Sequence, residues 1–214
     1  MSFIINPYQF VSSVPELLNE QFEPAGATGW TSSVSGLAVA WFPTYTPALV
    51  GSNSCQIAST TGSVNAYKNF TASGSVFCRF QVKHKRVSGG NSILASFQNS
   101  SGTSLAVFQL ASGSSRTRIN VTGGSTVVGT ITPTIDVQYW AWFEYEKGTG
   151  ANAVCRAGLS TTSTRPTNWT GLNAASTNGT TTLDASRIQF GSASGVTNYD
   201  VIIDDIQIQA TPFA

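Results

Sequence analysis

The sequence contains little charge and a single histidine. Charged side chains make up 10% of its 214 residues, and 11 cations almost balance 10 anions. The overall charge therefore predicts neither nucleic acid nor an anionic membrane surface as a partner. No window approaches the roughly 20 apolar residues of a helical membrane span. With 54 Ser and Thr residues, the chain is expected to owe its solubility to hydroxyl groups.

Cysteine is also scarce. Cys55, Cys78 and Cys155 are odd in number and show no CxxC spacing. This predicts neither a disulfide framework nor a zinc site. Cys78 alternates with Val76 and Phe80 along the chain, so it is expected to be a buried free thiol. We predict that the protein has no cofactor.

Acidic residues near the end of the chain offer one alternative metal site. Asp204 and Asp205 could bind calcium together with Asp184 or Asp200, because calcium prefers clustered carboxylate oxygens. An acid in a closing strand more often caps or bulges that strand. We therefore predict that no metal is bound.

Residues 137–160 carry the strongest pattern of secondary structure. Apolar side chains alternate along the first ten of these residues, a Gly-rich segment follows at 147–152, and a second alternating run completes the unit. This pattern predicts a long β-hairpin. Four residues are expected to face the core because of the same alternation. They are Tyr139, Phe143, Ile203 and Ile206.

No helical period persists elsewhere in the chain. Residues 161–182 form one long irregular segment, rich in Thr, Asn and Gly. About a dozen strands without helices predict an all-β fold, a two-sheet antiparallel sandwich or jelly roll, in one domain spanning 21–214. Strands besides the hairpin are predicted at 37–42, 54–59, 64–70, 75–87, 92–98, 104–110, 116–121, 126–132, 183–191 and 198–209.

Residues 1–20 are predicted to form an N-terminal arm. Pro7 and Pro15 interrupt any regular pattern. The segment has neither the basic region nor the long apolar run of a secretory signal, so synthesis in a cytoplasm without a signal peptide is expected. Its apolar side chains could pack on their own domain or on a neighbouring chain, and we predict docking on a neighbour. These residues are Phe3, Ile4, Ile5, Tyr8 and Phe10.

Four motifs occur along the chain in a distinctive order. They are NEQFE followed by GW (19–30), SILASFQNSSGTSLAVFQL (92–110), YWAWFEYEKGTGANA (139–153) and YDVIIDDIQIQ (199–209). This order resembles the concanavalin A-like or laminin-G-like jelly rolls. The resemblance covers roughly residues 18–209 and implies a lectin-type sandwich. Separately, FIINPYQF (3–10) resembles the opening of tailed-bacteriophage structural proteins, which implies a place in a capsid or tail.

Catalysis is considered at two places. Some jelly rolls are glycoside hydrolases, which need two neighbouring carboxylates. Glu144 and Glu146 alternate on one strand and resemble part of a Glu-x-Asp-x-Glu motif, but Tyr145 replaces the middle acid. Two Glu at the outer end of a strand are expected to be solvated. His84 lies among cations, no GxSxG motif is present, and a surface position is expected. We predict that the chain is not an enzyme.

Carbohydrate binding is the main alternative function. Sugars stack on exposed aromatic rings that are edged by amides and hydroxyls. Trp169 lies on the irregular segment with Asn168 and Arg165 nearby, and these three are the candidate carbohydrate-binding residues. Trp140 and Trp142 occupy the end of the hairpin strand that is expected to be buried. Core packing is therefore predicted for both.

Two functions remain. The first is a virion structural protein of a tailed phage, a capsid decoration or tail-associated jelly roll that docks through its arm. This hypothesis predicts other virion proteins and further copies of the chain as partners, and a location in the virion. The second is a lectin-like module that recognises host or surface glycans. Neither nucleic acid nor a membrane is expected as a partner, because the cations at 83–86 lack interleaved aromatic residues.

Overall fold

The structure, a computed structural model, describes residues 15–23, 28–87, 92–111, 116–129, 132–169, 173–192 and 199–213. Only the backbone is described for residues 36–42, 61, 86, 87 and 173–178. This part of the chain contains thirteen β-strands and no helix. The strands are β1 Glu16–Glu20, β2 Thr31–Tyr45, β3 Ser54–Ser73, β4 Ser75–Val87, β5 Ser92–Gln98, β6 Ser104–Leu110, β7 Thr117–Val121, β8 Val127–Val128, β9 Gln138–Glu146, β10 Ala153–Ser160, β11 Asn173–Gly179, β12 Ala185–Ser192 and β13 Tyr199–Gln209.

The strands form two antiparallel sheets. In the first sheet the order is β11, β10, β9, β4, β13 and β3, and β1 also pairs with β13. In the second sheet the order is β3, β12, β5, β6, β7 and β8. β2 runs along β3 for most of its length. Within the described ranges, no helix is long and apolar enough to cross a membrane.

β3 belongs to both sheets because it is 20 residues long. Its first part, up to Ser59, pairs with β13, and its second part, from Val64, pairs with β12. Gly62 lies between the two parts with φ of 121°. Side chains rarely tolerate that backbone conformation, so glycine at this point suits the passage of the strand from one sheet to the other.

The core lies between the two sheets. Phe143 of β9 stacks on Phe97 of β5 with ring centroids 4.3 Å apart. Phe80 of β4 meets Phe190 of β12 edge to face at 5.1 Å. Such aromatic pairs add to the free energy gained from burying apolar area. The four residues predicted to be buried are buried, namely Tyr139, Phe143, Ile203 and Ile206.

The predicted all-β, two-sheet sandwich is confirmed, and so is the central hairpin, in which Glu146 of β9 pairs with Val154 of β10. Several assignments differ. The strands predicted separately at 54–59 and 64–70 are one continuous strand, β3. β2 begins earlier than expected, β8 covers only two residues of its predicted strand, and β11 lies inside the segment predicted to be irregular. β11 has the sequence NAASTNG, without β-branched apolar residues. It is an edge strand held by backbone pairing with β10, and hydrophobic alternation does not detect such a strand.

The predicted N-terminal arm falls mainly outside the described residues, which begin at Pro15. Its last five residues form β1 and pair with β13. The docking residues Phe3, Ile4, Ile5, Tyr8 and Phe10 lie outside the described residues. Their role and the division of the chain after residue 20 stay predictions.

Two predictions for single residues have opposite outcomes. Cys78 is a buried free thiol as expected, and burial raises the pKa of its thiol. The prediction that His84 lies on the surface is wrong, because only 2% of it is exposed. His84 follows Val82 on the core-facing side of β4. Burial lowers the pKa of its imidazole, and the nearby charge of Asp136 partly opposes that shift.

Candidate functional site

β4 and β9 lie side by side in the first sheet, and every second side chain of each strand points away from the core. The pairing aligns Arg79 with Trp142, and Lys83 with Gln138. β13 continues the rows, since Gln207 aligns with Arg79 on its other side. We call this surface the outer face. Its residues are Arg79, Gln81, Lys83, Gln138, Trp140, Trp142, Glu144 and Gln207.

Arg79 lies at the centre of the outer face. Its Nε and Nη2 atoms donate to Gln207 Oε1 at 3.0 and 2.8 Å. The guanidinium carbon lies 5.4 Å from the ring centroid of Trp140 and 5.0 Å from that of Phe213. These distances are typical of cation–π contacts. No carboxylate among the described residues forms an ion pair with Arg79.

The two tryptophans of β9 differ in exposure. Trp142 is fully buried, and Phe213 packs edge to face against it at 5.7 Å. Its indole Nε1 has no hydrogen-bond partner in the described part of the chain. Trp140 is half-buried and forms no part of the core between the sheets. The predicted burial is confirmed for Trp142 and is wrong for Trp140. Neither ring lies in the core between the sheets, because both are on the outer face.

A cleft of ≈ 340 Å³ adjoins one end of the outer face. Lys85 lines it and donates to the hydroxyl oxygen of Tyr45 at 2.8 Å, and this hydrogen bond is the main reason why the pKa of Lys85 is raised. Lys83 lies 3.7 Å from Asp136, whose side chain is 62% exposed. The cleft is lined by Tyr45, Pro47, Ala48, Leu49, Lys83, Lys85, Asp136, Gln138 and Ile202.

The carbohydrate-binding residues predicted from sequence lie at the other end of β9. Arg165 donates to both oxygens of Glu144, with Nε 2.6 Å from Oε1 and Nη2 2.9 Å from Oε2. This hydrogen-bonded pair raises the pKa of Arg165. The Arg165 guanidinium lies 5.8 Å from the ring of Trp169, while Asn168 is exposed. The structure thus brings Arg165 and Trp169 together, but the guanidinium of Arg165 is already bound to the carboxylate of Glu144.

The expectation that Glu144 and Glu146 are both solvated is wrong for Glu144, whose side chain is only 2% exposed. Arg156 Nη1 bridges the pair, 3.4 Å from Glu144 Oε2 and 2.9 Å from Glu146 Oε1. Arg165 completes the neutralisation of Glu144. Two carboxylates held in this way by arginines lack the free acid and base that glycoside hydrolysis requires.

Two of the acids considered for calcium, Asp204 and Asp184, are bound to other groups of the same chain. Asp204 Oδ2 accepts hydrogen bonds from the Val50 amide at 2.9 Å and from the Ser54 hydroxyl at 2.8 Å. Burial raises the pKa of Asp204, and these hydrogen bonds partly oppose the shift. Asp184 pairs with Lys147 at 2.7 Å. The described residues contain no group of three or more candidate metal ligands.

Sequence reasoning missed Arg79, Gln81, Tyr45 and Phe213 as site residues. A signal existed for the first two, because residues 79, 81, 83 and 85 are polar and alternate with the apolar side of β4. No comparable signal existed for Tyr45 or Phe213. Tyr45 reaches the cleft as the last residue of β2, and Phe213 reaches the outer face through the path of the chain after β13.

Comparison with known proteins shows the fold. The endo-β-1,4-glucuronan lyase of the fungus Trichoderma reesei aligns with a TM-score of 0.64 at 10% identity, over 92% of this chain and 96% of that one. Cellulose induced protein Cip1 aligns at 0.59 and 16%, over 92% and 99%. Carbohydrate-binding module CBM66 of Bacillus subtilis aligns at 0.51 and 8%, over 85% and 96%. No family model and no curated protein sequence matches the chain.

These neighbours confirm the jelly-roll class and correct one prediction. The prediction that the chain is not an enzyme is contradicted, because a polysaccharide lyase has the same fold. The incomplete acid pair argued only against hydrolysis, and a lyase breaks its substrate by a different reaction. Nothing in the three neighbours supports the phage hypothesis, so the virion location stays a prediction without support.

Proposed function

We propose that the protein binds a polysaccharide along the outer face of its first sheet. The observation that carries this proposal is the half-buried ring of Trp140, which lies among hydrogen-bonding side chains on a surface that leads into the cleft. Sugar rings present apolar faces and hydroxyl edges, so they need an aromatic surface beside polar groups. Neighbours that include a carbohydrate-binding module and a polysaccharide lyase support the same conclusion.

The outer face has the shape of a binding site for a chain molecule. Trp142 and Glu144 are buried, so its accessible part runs along β4 from Arg79 to Lys83, four residues or about 14 Å at the rise of a β-strand. The amides of Gln138 and Gln81 are hydrogen-bonded to each other beside Trp140. The exposed amide of Gln138 retains a further donor and its acceptor oxygen for sugar hydroxyls. A row of this length suits several consecutive sugars rather than a single one.

Trp169, Asn168 and Arg165 form part of the proposal as an outer subsite. Trp169 is half-buried and Asn168 is exposed. Because Glu144 already occupies Arg165, the expected contribution of Arg165 is to hold the loop and the Trp169 ring in place. Contact with sugar at this subsite is then made by Trp169 and Asn168.

The test is affinity electrophoresis or calorimetry with a panel of neutral and acidic polysaccharides. Trp140→Ala is expected to weaken binding about fivefold or more, since a stacked aromatic contact contributes roughly 1 kcal/mol or more. Trp169→Ala tests the outer subsite. The matched control is Tyr67→Ala, because Tyr67 lies in the second sheet under the guanidinium of Arg187 at 4.0 Å. Undiminished binding by Trp140→Ala and Trp169→Ala together would overturn this location.

Cleavage of the bound polysaccharide is a second candidate function. The contact between Lys85 Nζ and Tyr45 Oη inside the cleft favours it. An ammonium group within hydrogen-bond distance stabilises negative charge that develops on a phenol oxygen during proton transfer. Incubation followed by size-exclusion chromatography should show chain shortening that Tyr45→Phe abolishes. Binding without shortening by the parent protein would remove this candidate and leave the binding proposal intact.

A further inference from the structure

We infer that the outer face selects polysaccharides built from uronic acids, and that Arg79 binds the carboxylate of one uronate residue. This inference rests on the proposed function and adds the chemical class of its ligand. Its starting point is the environment of Arg79, a half-buried cation that has no carboxylate partner among the described residues.

The lack of an anion distinguishes Arg79 from the other arginines near the outer face. Arg156 and Arg165 are both bound to glutamates. Partial burial of a charge without a partner of opposite sign costs free energy, which an incoming anion offsets. The Gln207 oxygen solvates part of the guanidinium but carries no net charge.

The geometry of Arg79 suits a bidentate contact. A guanidinium has five N–H donors in a rigid fork. Gln207 uses the donor on Nε and one on Nη2. Both donors on Nη1 and the second one on Nη2 therefore remain for a ligand. One donor from each of these nitrogens forms an edge that can bind a carboxylate through two parallel hydrogen bonds.

The surroundings hold that edge in position and provide for the rest of the sugar. The rings of Trp140 and Phe213 lie 5.4 and 5.0 Å from the guanidinium carbon. A uronate whose carboxylate meets Arg79 would have its ring within reach of Trp140. Trp142 aligns with Arg79 in the pairing of β4 with β9, and its buried indole N–H has no acceptor among the described residues.

Two more cations follow Arg79 along β4 in the direction of the cleft. Lys83 lies four residues from Arg79 on β4, about 14 Å away at the rise of a strand. Lys85 lies beyond it in the cleft. The exposed partner of Lys83, Asp136 at 3.7 Å, forms the kind of surface ion pair that contributes little. A ligand with regularly spaced carboxylates can therefore meet cations along the outer face and in the cleft.

The experiment compares binding of alginate, glucuronan and polygalacturonate with binding of their carboxyl-reduced counterparts, in the presence of a chelator. The parent protein is expected to prefer at least one native polyuronate over its reduced form by about tenfold or more, as a bidentate charged pair implies. Arg79→Gln should remove this preference while residual binding to the reduced polymer persists. Rising salt should weaken the binding of the parent protein more than that of the variant.

The matched control is Arg187→Gln. Arg187 is also stacked on an aromatic ring, Tyr67 at 4.0 Å, but it lies in the second sheet. The control variant should keep the full preference for the polyuronate. If it loses as much affinity as Arg79→Gln, general charge rather than this subsite explains the binding, and the inference is overturned. Thermal melting of both variants verifies that they are folded.

The remaining outcomes separate the inference from the proposed function. Equal binding of native and carboxyl-reduced polymers, with Trp140→Ala still deleterious, overturns uronate selection and leaves polysaccharide binding intact. A preference for the polyuronate that survives in Arg79→Gln overturns the role of Arg79. If the parent protein binds no polysaccharide of either kind, the proposed function fails, and the inference fails with it.

Discussion

The rings of Phe97 and Phe143 stack with their centroids 4.3 Å apart and their planes 6° from parallel, and this contact joins the two sheets of the sandwich. Phe108 packs against the same Phe143 ring at 5.9 Å. All three side chains are buried. Phe143 therefore links β9 of the first sheet to both β5 and β6 of the second, at the centre of the core.

Replacement of Phe143 by Ala should lower the free energy of unfolding by about 3–5 kcal/mol, because it leaves a cavity between the sheets. Urea denaturation followed by tryptophan fluorescence provides the measurement. Val128→Ala is the control, since Val128 is 41% exposed and its truncation creates no cavity. A Phe143→Ala protein as stable as the parent would contradict the core assignment.

Replacement of Glu144 by Ala should destabilise the protein by roughly 1–3 kcal/mol, because it leaves two arginines without their shared acceptor. Glu146→Ala should cost less than about 1 kcal/mol, since that side chain is 37% exposed. In Glu144→Ala the loop that carries Arg165 also loses its contact with β9. Limited proteolysis near residues 161–169 should therefore be faster in Glu144→Ala and unchanged in Glu146→Ala. Equal effects of the two substitutions would show that burial of Glu144 has no energetic role.

Gly191 is expected to resist substitution far more than Gly150. Both have positive φ, 80° and 64°. A Cβ at Gly191 would lie 2.2 Å from the carbonyl oxygen of Val64 on the paired strand, whereas one at Gly150 would meet nothing within 4 Å. Gly191→Ala should cost at least about 2 kcal/mol and Gly150→Ala about 1 kcal/mol. Thermal melting of the two variants under one buffer condition tests this order.

Stability should fall in mild acid because of His84. Burial lowers its pKa from 6.5 in the folded state. Below that value the unfolded chain binds a proton that the folded chain resists, so the free energy of unfolding falls as the pH drops through 6.5 toward the folded pKa. The slope is at most about 1.4 kcal/mol per pH unit.

The measurement is a series of denaturation curves between pH 7.5 and pH 5, taken on the parent and on His84→Gln. The variant should show a flatter pH dependence over this window, whatever its absolute stability. The raised pKa of Asp204 has the opposite effect on the pH dependence of stability. This effect is common to both proteins and cancels in the comparison. Parallel curves would mean that His84 titrates normally in the folded protein.

Local alternation alone was enough to predict the class of the fold. Tyr139 and Phe143 are predicted to be buried because side chains on a strand alternate between two faces, and both are buried. The same rule applied to His84, since it shares the side of β4 that Val82 turns to the core. The expectation of a surface position gave more weight to its cationic neighbours than to this periodicity.

Only the tertiary structure decided which polar side chains meet on the outer face. Arg79 and Gln207 are 128 positions apart, and Tyr45 and Lys85 are 40 apart. Their contacts depend on the order in which strands pair, and that order is set by packing of the whole chain rather than by any local pattern. Alternation predicts which side chains of β4 point outward. Only the pairing of β4 with β9 and β13 brings these side chains next to those of the other two strands, and this contact forms the candidate site.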